Sequence, residues 1–298
     1  MAYIIEDAVI IKHAAAEKTS ILVRNNKMDY IHSSVKNMAY MKMDASPYVM
    51  TPGHVMLDFS INGPYSEAKP IFKDKLIAAG CTAVITVARA EYERELSDAV
   101  RKKRQRMINS PIDYCIGAAI PLKRLTPSLL IACKRQKIPL LVLEIQPQDD
   151  LTGFPWEWIR SSIYQFPMTF LPKWPERALQ DKQQKTFEAL MKKHRFSASV
   201  ACPPEHTILD KNLLMKIGLF PDKGDIRIGG EVDYNLYEGN AFNSVEDLSS
   251  SGYHSHIPKF TVHKGQLLKA GETIFIKPGF GEERTVAMSG RFAAQAVP

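Results

Sequence analysis

Two short groups of residues in this chain carry side chains that are common in catalytic or metal-binding sites. His254 and His256 are separated by one serine, and His263 follows them. They lack an evident further ligand for a metal ion, and a histidine side chain is readily solvated by water. A solvated loop is therefore the favoured interpretation. Cys202 stands four residues before His206, and such a pair can form a nucleophile. Two prolines separate them and no orienting group is predicted, so that pairing is the weaker interpretation.

A basic run occupies residues 101–106 and could attract phosphate groups. It follows several acidic residues on the same predicted helix. Acidic residues near the N-terminus and basic residues near the C-terminus of a helix interact favourably with the helix dipole. Because no aromatic residues are interleaved with it, the run predicts a solvated helix face, and we expect no nucleic-acid binding. The four cysteines have no zinc-ligand spacing, which favours a reducing, cytoplasmic environment. No signal-peptide layout and no span of bilayer length are present, so no membrane partner is expected.

The composition is that of an ordinary globular protein. The 298 residues are 45% hydrophobic and 24% charged, enough for a full core, and the net charge of +7 permits an acidic partner without demanding one. The first fifty residues alternate short apolar runs with turn signals and predict a small sheet. After Pro52-Gly53 the pattern changes to apolar runs separated by helix-length amphipathic segments, which is typical of a parallel sheet. After residue 206 it becomes mainly Gly-rich strand material.

The predicted elements of the middle region follow from this alternation. The runs predicted as parallel strands are residues 55–61, 83–87, 113–120, 139–145 and 166–171. The segments predicted as helices are residues 68–79, 91–107, 127–136, 155–164 and 175–194, with one more at 210–217.

Three segments carry a resemblance to a known family. They are residues 43–53 (MDASPYVMTPG), 76–85 (LIAAGCTAVI) and 217–234 (IGLFPDKGDIRIGGEVDY). In this order they resemble the amidohydrolase superfamily, specifically its dihydropyrimidinase (hydantoinase) and dihydroorotase branch. There the first segment leads into the barrel, the second feeds the second strand, and the third returns to the β domain. The alternative is that they are good turns of some other α/β protein.

The resemblance implies an α/β fold with an incomplete TIM-type (β/α) barrel and a small composite β domain built from both chain ends. The expected parts are residues 1–51 and 206–298 for the β domain, a β-sandwich, and residues 52–205 for the barrel. A complete barrel takes about 250 residues. The middle part, residues 52–205, has only about 150, so it holds about five βα units. An open parallel sheet leaves unpaired edges. We therefore expect self-association or a partner protein, unless a loop such as residues 154–175 covers an edge.

The family's chemistry depends on a water clamped between two divalent metals. Its first barrel strand carries an H-x-H pair, and in this chain the resemblance places Asp58 and Ser60 at those two positions. His54 lies at the entrance of the strand, too far from these positions to replace them, and Leu141 stands where the family has a carboxylated lysine. With most ligands replaced, no metal site and no cofactor are expected.

These observations favour a degenerate amidohydrolase-like protein without hydrolytic activity. It would act as a binding, scaffolding or regulatory subunit, as a homo-oligomer or with a partner protein, and hold a small polar ligand near Asp58 and Ser60. The aromatic-rich stretch at 154–174 would cover a sheet edge or form a self-association surface. The alternative is a hydrolase of cyclic amides or other non-peptide C–N bonds with an atypical site. It would use a single divalent metal such as zinc, or none, with Asp58 as general base or ligand.

Overall fold

A computed structural model describes residues 2–12, 15–33, 35, 38–163, 166–174, 180–239, 256–287 and 289–290. These residues form a mixed α/β structure with two sheets, one mainly antiparallel and one wholly parallel and curled. The expected combination of a partial TIM-like barrel with a separate β domain is confirmed at this level. The domain boundaries remain predictions.

The first sheet is built from both ends of the chain. Its strands are β1 (Ala2–Lys12), β2 (Ala15–Arg24), β3 (Lys27–His32), β4 (Met41–Asp44), β5 (Tyr48–Pro52), β12 (Tyr234–Glu238), β13 (Phe260–His263), β14 (Gln266–Ala270) and β15 (Thr273–Ile274). Their order in the sheet is β15-β14-β13-β12-β5-β1-β2-β3, with β4 also pairing with β1. Asn25 and Asn26 form the turn that joins β2 to β3, with φ of 53° and 58°.

The second sheet contains six parallel strands in sequential order, as repeated βα units require. Its strands are β6 (His54–Leu57), β7 (Cys81–Arg89), β8 (Asp113–Pro121), β9 (Leu140–Glu144), β10 (Thr169–Lys173) and β11 (Ser197–Ala198). The helices are α1 (Tyr65–Pro70), α2 (Glu93–Met107), α3 (Pro127–Arg135), α4 (Trp156–Ile163), α5 (Gln180–Lys193) and α6 (Lys211–Ile217). A π-helical turn (Ile71–Leu76) and a short 3₁₀ turn (Ile77–Ala79) continue α1.

Gly80 joins that 3₁₀ turn to β7. Its φ of 82° is in the left-handed region that favours glycine. A Cβ atom at this position would lie 2.7 Å from the side-chain nitrogen of Asn235, which itself donates a hydrogen bond to the Gly80 carbonyl. Gly80 therefore combines a backbone requirement with a close contact between the two sheets.

The parallel sheet buries apolar side chains on both faces, because successive residues of a strand point to opposite sides. On the outer face, strand residues such as Val84 and Leu141 pack with α2 to α5. On the concave face, Val55, Leu57 and other alternate residues pack with α6. The interior of the half-barrel is thus filled by a helix of the same chain.

Both edges of the parallel sheet are covered by one stretch of chain, residues 197–209. At one edge, β11 pairs with β10, and Cys202 N–H donates to the Pro172 carbonyl at 3.1 Å. At the other edge, Leu209 N–H donates to the Val55 carbonyl at 2.9 Å, next to an antiparallel bridge between Met56 and Ile208. The covering segment is therefore 197–209, whereas residues 154–175 supply α4 and β10.

Among the described residues, no helix combines the length and the apolar character needed to cross a membrane.

Candidate functional site

The carboxyl end of β6 carries the residues that the sequence singled out. The Asp58 side chain is 0% exposed, and its carboxylate accepts hydrogen bonds from the backbone amides of Ser60 at 2.8 Å and Ile61 at 2.9 Å. The Ser60 hydroxyl donates to the same carboxylate at 3.0 Å. Asp58 thus folds the loop that follows β6 back onto itself, which ends the strand four residues earlier than predicted.

His206 completes the contacts of Asp58 from the segment that covers β6. Its Nε2 lies 2.6 Å from Asp58 Oδ2, and its backbone N–H donates to the Leu57 carbonyl at 3.0 Å. The backbone of His206 has a φ of 61°, an unusual conformation for this residue type. About 30% of its side chain is exposed. A buried carboxylate therefore orients a partly exposed imidazole at the carboxyl side of the sheet, where (β/α) barrels bind their ligands.

Lys103 supports this loop from beneath. Its ammonium group is buried and donates to the Ile61 carbonyl at 2.6 Å, to Asn62 Oδ1 at 2.8 Å and to the Thr86 hydroxyl at 3.3 Å. Burial lowers the pKa of Lys103 to about 8, with the positive charge of Arg106 acting in the same direction and Asp58 opposing it. Lys103 is therefore a positioning residue for the loop after β6.

Phe59, rather than Asp58 or Ser60, contacts the apolar interior of the half-barrel. Val55, Leu57 and Phe59 alternate along the chain and all belong to the cluster on the concave face. The ammonium of Lys173, at the end of β10, lies 5.6 Å from the centre of the Phe59 ring. The mouth of the half-barrel therefore presents an aromatic ring with a lysine above it.

The donor set does not fit the two-metal centre that the sequence resemblance implies. Within the described ranges, no three His, Cys, Asp or Glu side chains are placed to hold one metal ion. Asp58 and His206 are two donors, and they bond to each other. The nearby Glu205 carboxylate accepts a hydrogen bond from the Phe59 backbone amide, and a divalent cation needs several donors placed around one point.

Of the other residues considered from the sequence, Cys202 packs against the same concave cluster as Phe59. Burial raises the pKa of the half-buried Cys202 thiol to about 11, which opposes the thiolate that a nucleophile needs. His254 lies outside the described residues. His54 is buried and bonds the Tyr237 hydroxyl at 2.6 Å, joining the two sheets. In the basic run, Arg101 and Lys102 both pair with Asp98, in agreement with a helix face balanced by acids.

A second charged group lies at the opposite, amino end of the parallel strands, and the sequence did not indicate it. Lys223 is buried and its ammonium lies within 2.6 Å of carboxylate oxygens of Asp113, Glu231 and Asp233. The buried His263 lies 3.0 Å from Asp233 and 3.4 Å from Asp113. Lys264 and Arg284 complete the group, at 2.8 Å and 2.5 Å from Asp113. It joins the start of β8 to the first sheet, so its role is structural.

The contacts within this group favour the charged forms of Asp113, Asp233 and His263. Burial alone would raise the pKa of both aspartates, but hydrogen bonds from His263 and the charge of Lys223 outweigh it. The pKa of Asp233 falls to about 2, and that of Asp113 also lies well below its usual range. Burial opposes the charged form of His263, yet the two aspartates raise its pKa overall.

Stability is therefore expected to fall at both ends of the pH range. The aspartates have a lower pKa folded than the value of about 3.9 unfolded, so their contribution is present above that value and is lost as pH falls through the folded values. His263 has a raised folded pKa, so its contribution is complete below about pH 6.5 and is lost as pH rises through the folded value. Denaturant unfolding over a pH series measures both limbs.

A His263→Gln variant provides the matched comparison, because it removes the imidazole and leaves the aspartates. It should be less stable near neutral pH, lose the alkaline dependence and keep the acid one. An unchanged alkaline slope would show that another group causes it.

The comparisons with known proteins agree with this architecture. No protein-family model matches the sequence, and no curated protein does. Among solved structures, dihydropyrimidinase from Brevibacillus agri NCHU1002 matches with a TM-score of 0.70 and 10% identity, over 98% of this chain and 100% of that one. The D-hydantoinase (dihydropyrimidinase) from Thermus sp. gives 0.59 and 11%, over 97% and 100%. The L-hydantoinase (dihydropyrimidinase) from Arthrobacter aurescens gives 0.55 and 11%, over 95% and 99%. The chain therefore shares the fold of these dihydropyrimidinases and hydantoinases.

Proposed function

We propose that this chain is an amidohydrolase-like protein that does not hydrolyse cyclic amides by two-metal chemistry and acts instead as a binding or scaffolding subunit. The observation that carries the proposal is the state of the Asp58 carboxylate. Two amides, a hydroxyl and an imidazole of the same chain occupy it. A carboxylate committed in this way holds a loop in place.

The interior of the half-barrel supports the same conclusion. Leu213, Leu214 and Ile217 of α6 pack against the concave face of the strands, and Phe59 extends the apolar cluster towards the mouth. A hydrolytic site needs polar groups aimed at the reacting bond and a space for water. Here that region contains apolar side chains in mutual contact.

The groups left to meet a ligand lie at the rim. His206 is partly exposed, and Lys173 stands over the Phe59 ring. A small polar ligand near Asp58 and Ser60 would meet these two side chains first. Because residues 197–209 already cover both sheet edges, a homo-oligomer or partner protein would assemble through another surface. Trp158 on α4, which is 71% exposed, is the side chain we expect there.

The test is metal analysis of protein purified without chelators, together with hydantoin and dihydroorotate hydrolysis assays before and after addition of zinc or manganese. We expect well under one metal ion per chain and no turnover above the uncatalysed rate under any condition. Stoichiometric metal, with turnover that Asp58→Ala and Asp58→Asn both abolish while the protein stays folded by circular dichroism, would overturn the proposal.

A hydrolase is the second candidate, and the Asp58–His206 pair is the observation that favours it. A buried carboxylate that orients a partly exposed histidine is the arrangement of a general base. In that case hydrolysis would survive a chelator and disappear in His206→Gln. The same assays with chelator added distinguish the two candidates.

A further inference from the structure

A cleft of about 640 Å³ opens on the outer side of the half-barrel, away from the residues around Asp58. Tyr92, Glu93, Arg94, Ser97 and Ala132 line it. Tyr92 follows the carboxyl end of β7, and the size is within the range of small-molecule sites, about 300–1,000 Å³. Loops at the carboxyl ends of the strands are where the (β/α) architecture places its ligands.

Two arginines lie against the tyrosine of this cleft. The Arg124 guanidinium, from the turn after β8, is 4.4 Å from the centre of the Tyr92 ring and donates to the Tyr92 hydroxyl at 2.9 Å. The Arg94 guanidinium is 5.4 Å from the same ring. Stacking on an aromatic ring restrains a guanidinium, so less conformational entropy remains to be lost when it binds an anion.

The charge of these two arginines is not neutralised by the part of the chain that the structure describes. Neither guanidinium lies within ion-pair distance of a described carboxylate, and the only hydrogen-bond acceptor that either meets is the Tyr92 hydroxyl. Nearby arginines differ, since Arg89 pairs with Glu144 at 2.9 Å and Arg104 pairs with Glu283 at 3.0 Å. Two unpaired guanidiniums beside a cleft suit a doubly charged anion such as a phosphate.

Glu93 restricts the ligand further. Its carboxylate lines the same cleft and would repel a bare anion. A ligand that also carries hydroxyl groups turns Glu93 into an acceptor, and Ser97 lines the same cleft. We propose that this cleft binds a small sugar phosphate, with the phosphate on Arg94 and Arg124 and the hydroxyl groups on Glu93. This site is independent of the function proposed above.

Isothermal titration calorimetry of the full chain with glucose 6-phosphate, inorganic phosphate and glucose tests the proposal. Glucose 6-phosphate should bind more tightly than either of the other two. Arg94→Gln and Arg124→Gln should each weaken its binding by about tenfold or more, since each removes a charge-assisted contact. Arg106→Gln, at an exposed position of the same helix, is the control and should leave binding unchanged.

The Glu93→Gln variant tests separately how the phosphate and the sugar hydroxyl groups contribute to binding. It should raise the affinity for inorganic phosphate, because a repelling charge is gone, and reduce the preference for glucose 6-phosphate. Thermal unfolding of each variant establishes that it is folded. Absence of glucose 6-phosphate binding to the unaltered chain at millimolar concentrations, or equal binding by the folded arginine variants, would overturn the proposal.

Discussion

Replacing Lys223 by methionine is expected to lower the free energy of unfolding by about 3–5 kcal/mol, the usual cost of removing one partner from a buried ion pair. The ammonium of Lys223 is buried and contacts Asp113, Glu231 and Asp233, two of which are themselves buried. Methionine matches the length of the side chain but removes a cation that contacts all three carboxylates, leaving Arg284, Lys264 and His263 to compensate them in part. Denaturant unfolding at neutral pH measures the change.

Two further variants make this result interpretable. Lys185→Met, at an exposed position of α5, should change the free energy of unfolding by less than about 0.5 kcal/mol. Adding Asp233→Asn to Lys223→Met should recover part of the loss, because it removes one of the stranded charges. A loss below about 1 kcal/mol in the single variant would mean that the carboxylates find other compensation.

Shortening Leu214 to alanine is expected to cost about 2–5 kcal/mol, because the side chain is buried in the concave face of the half-barrel. Leu214 also accepts, through its carbonyl, the amides of Gly218, Leu219 and Phe220, so its helix is held in place and cannot easily close the gap. The measurement is the denaturant midpoint at constant slope.

Leu267→Ala is the matched control, since Leu267 on β14 is 42% exposed and the same atoms are removed. It should cost well under half of the Leu214 value. Equal losses in the two variants would mean that α6 does not fill the interior as described.

Local signals in the sequence were enough for most of the half-barrel. The predicted helix at 127–136 is confirmed. It begins where the sequence indicates, because Thr126 caps it and a proline occupies its first turn. The strand predicted at 55–61 ends at Leu57, because Asp58 draws the amides of Ser60 and Ile61 to its own carboxylate. A run of suitable residues does not reveal a local side-chain contact that competes with strand pairing.

The candidate sites depended on contacts between distant residues, which the sequence could not supply. Asp58 and Ser60 were identified through a family resemblance, but the partner that orients the site, His206, is 148 residues away from Asp58. Lys223 lies inside the segment 217–234, while its partners come from β8 and the stretch before β12. No local pattern distinguishes a buried lysine of this kind from a solvated one.

The way residues 197–209 lie along both margins of the parallel sheet affects how the protein is made. While a ribosome extends the chain, β6 to β10 emerge with backbone groups at two margins still unsatisfied, and such surfaces recruit other chains. Only when the residues up to Leu209 have emerged does the nascent polypeptide carry its own protection. A product that stops before this point is therefore expected to be aggregation-prone.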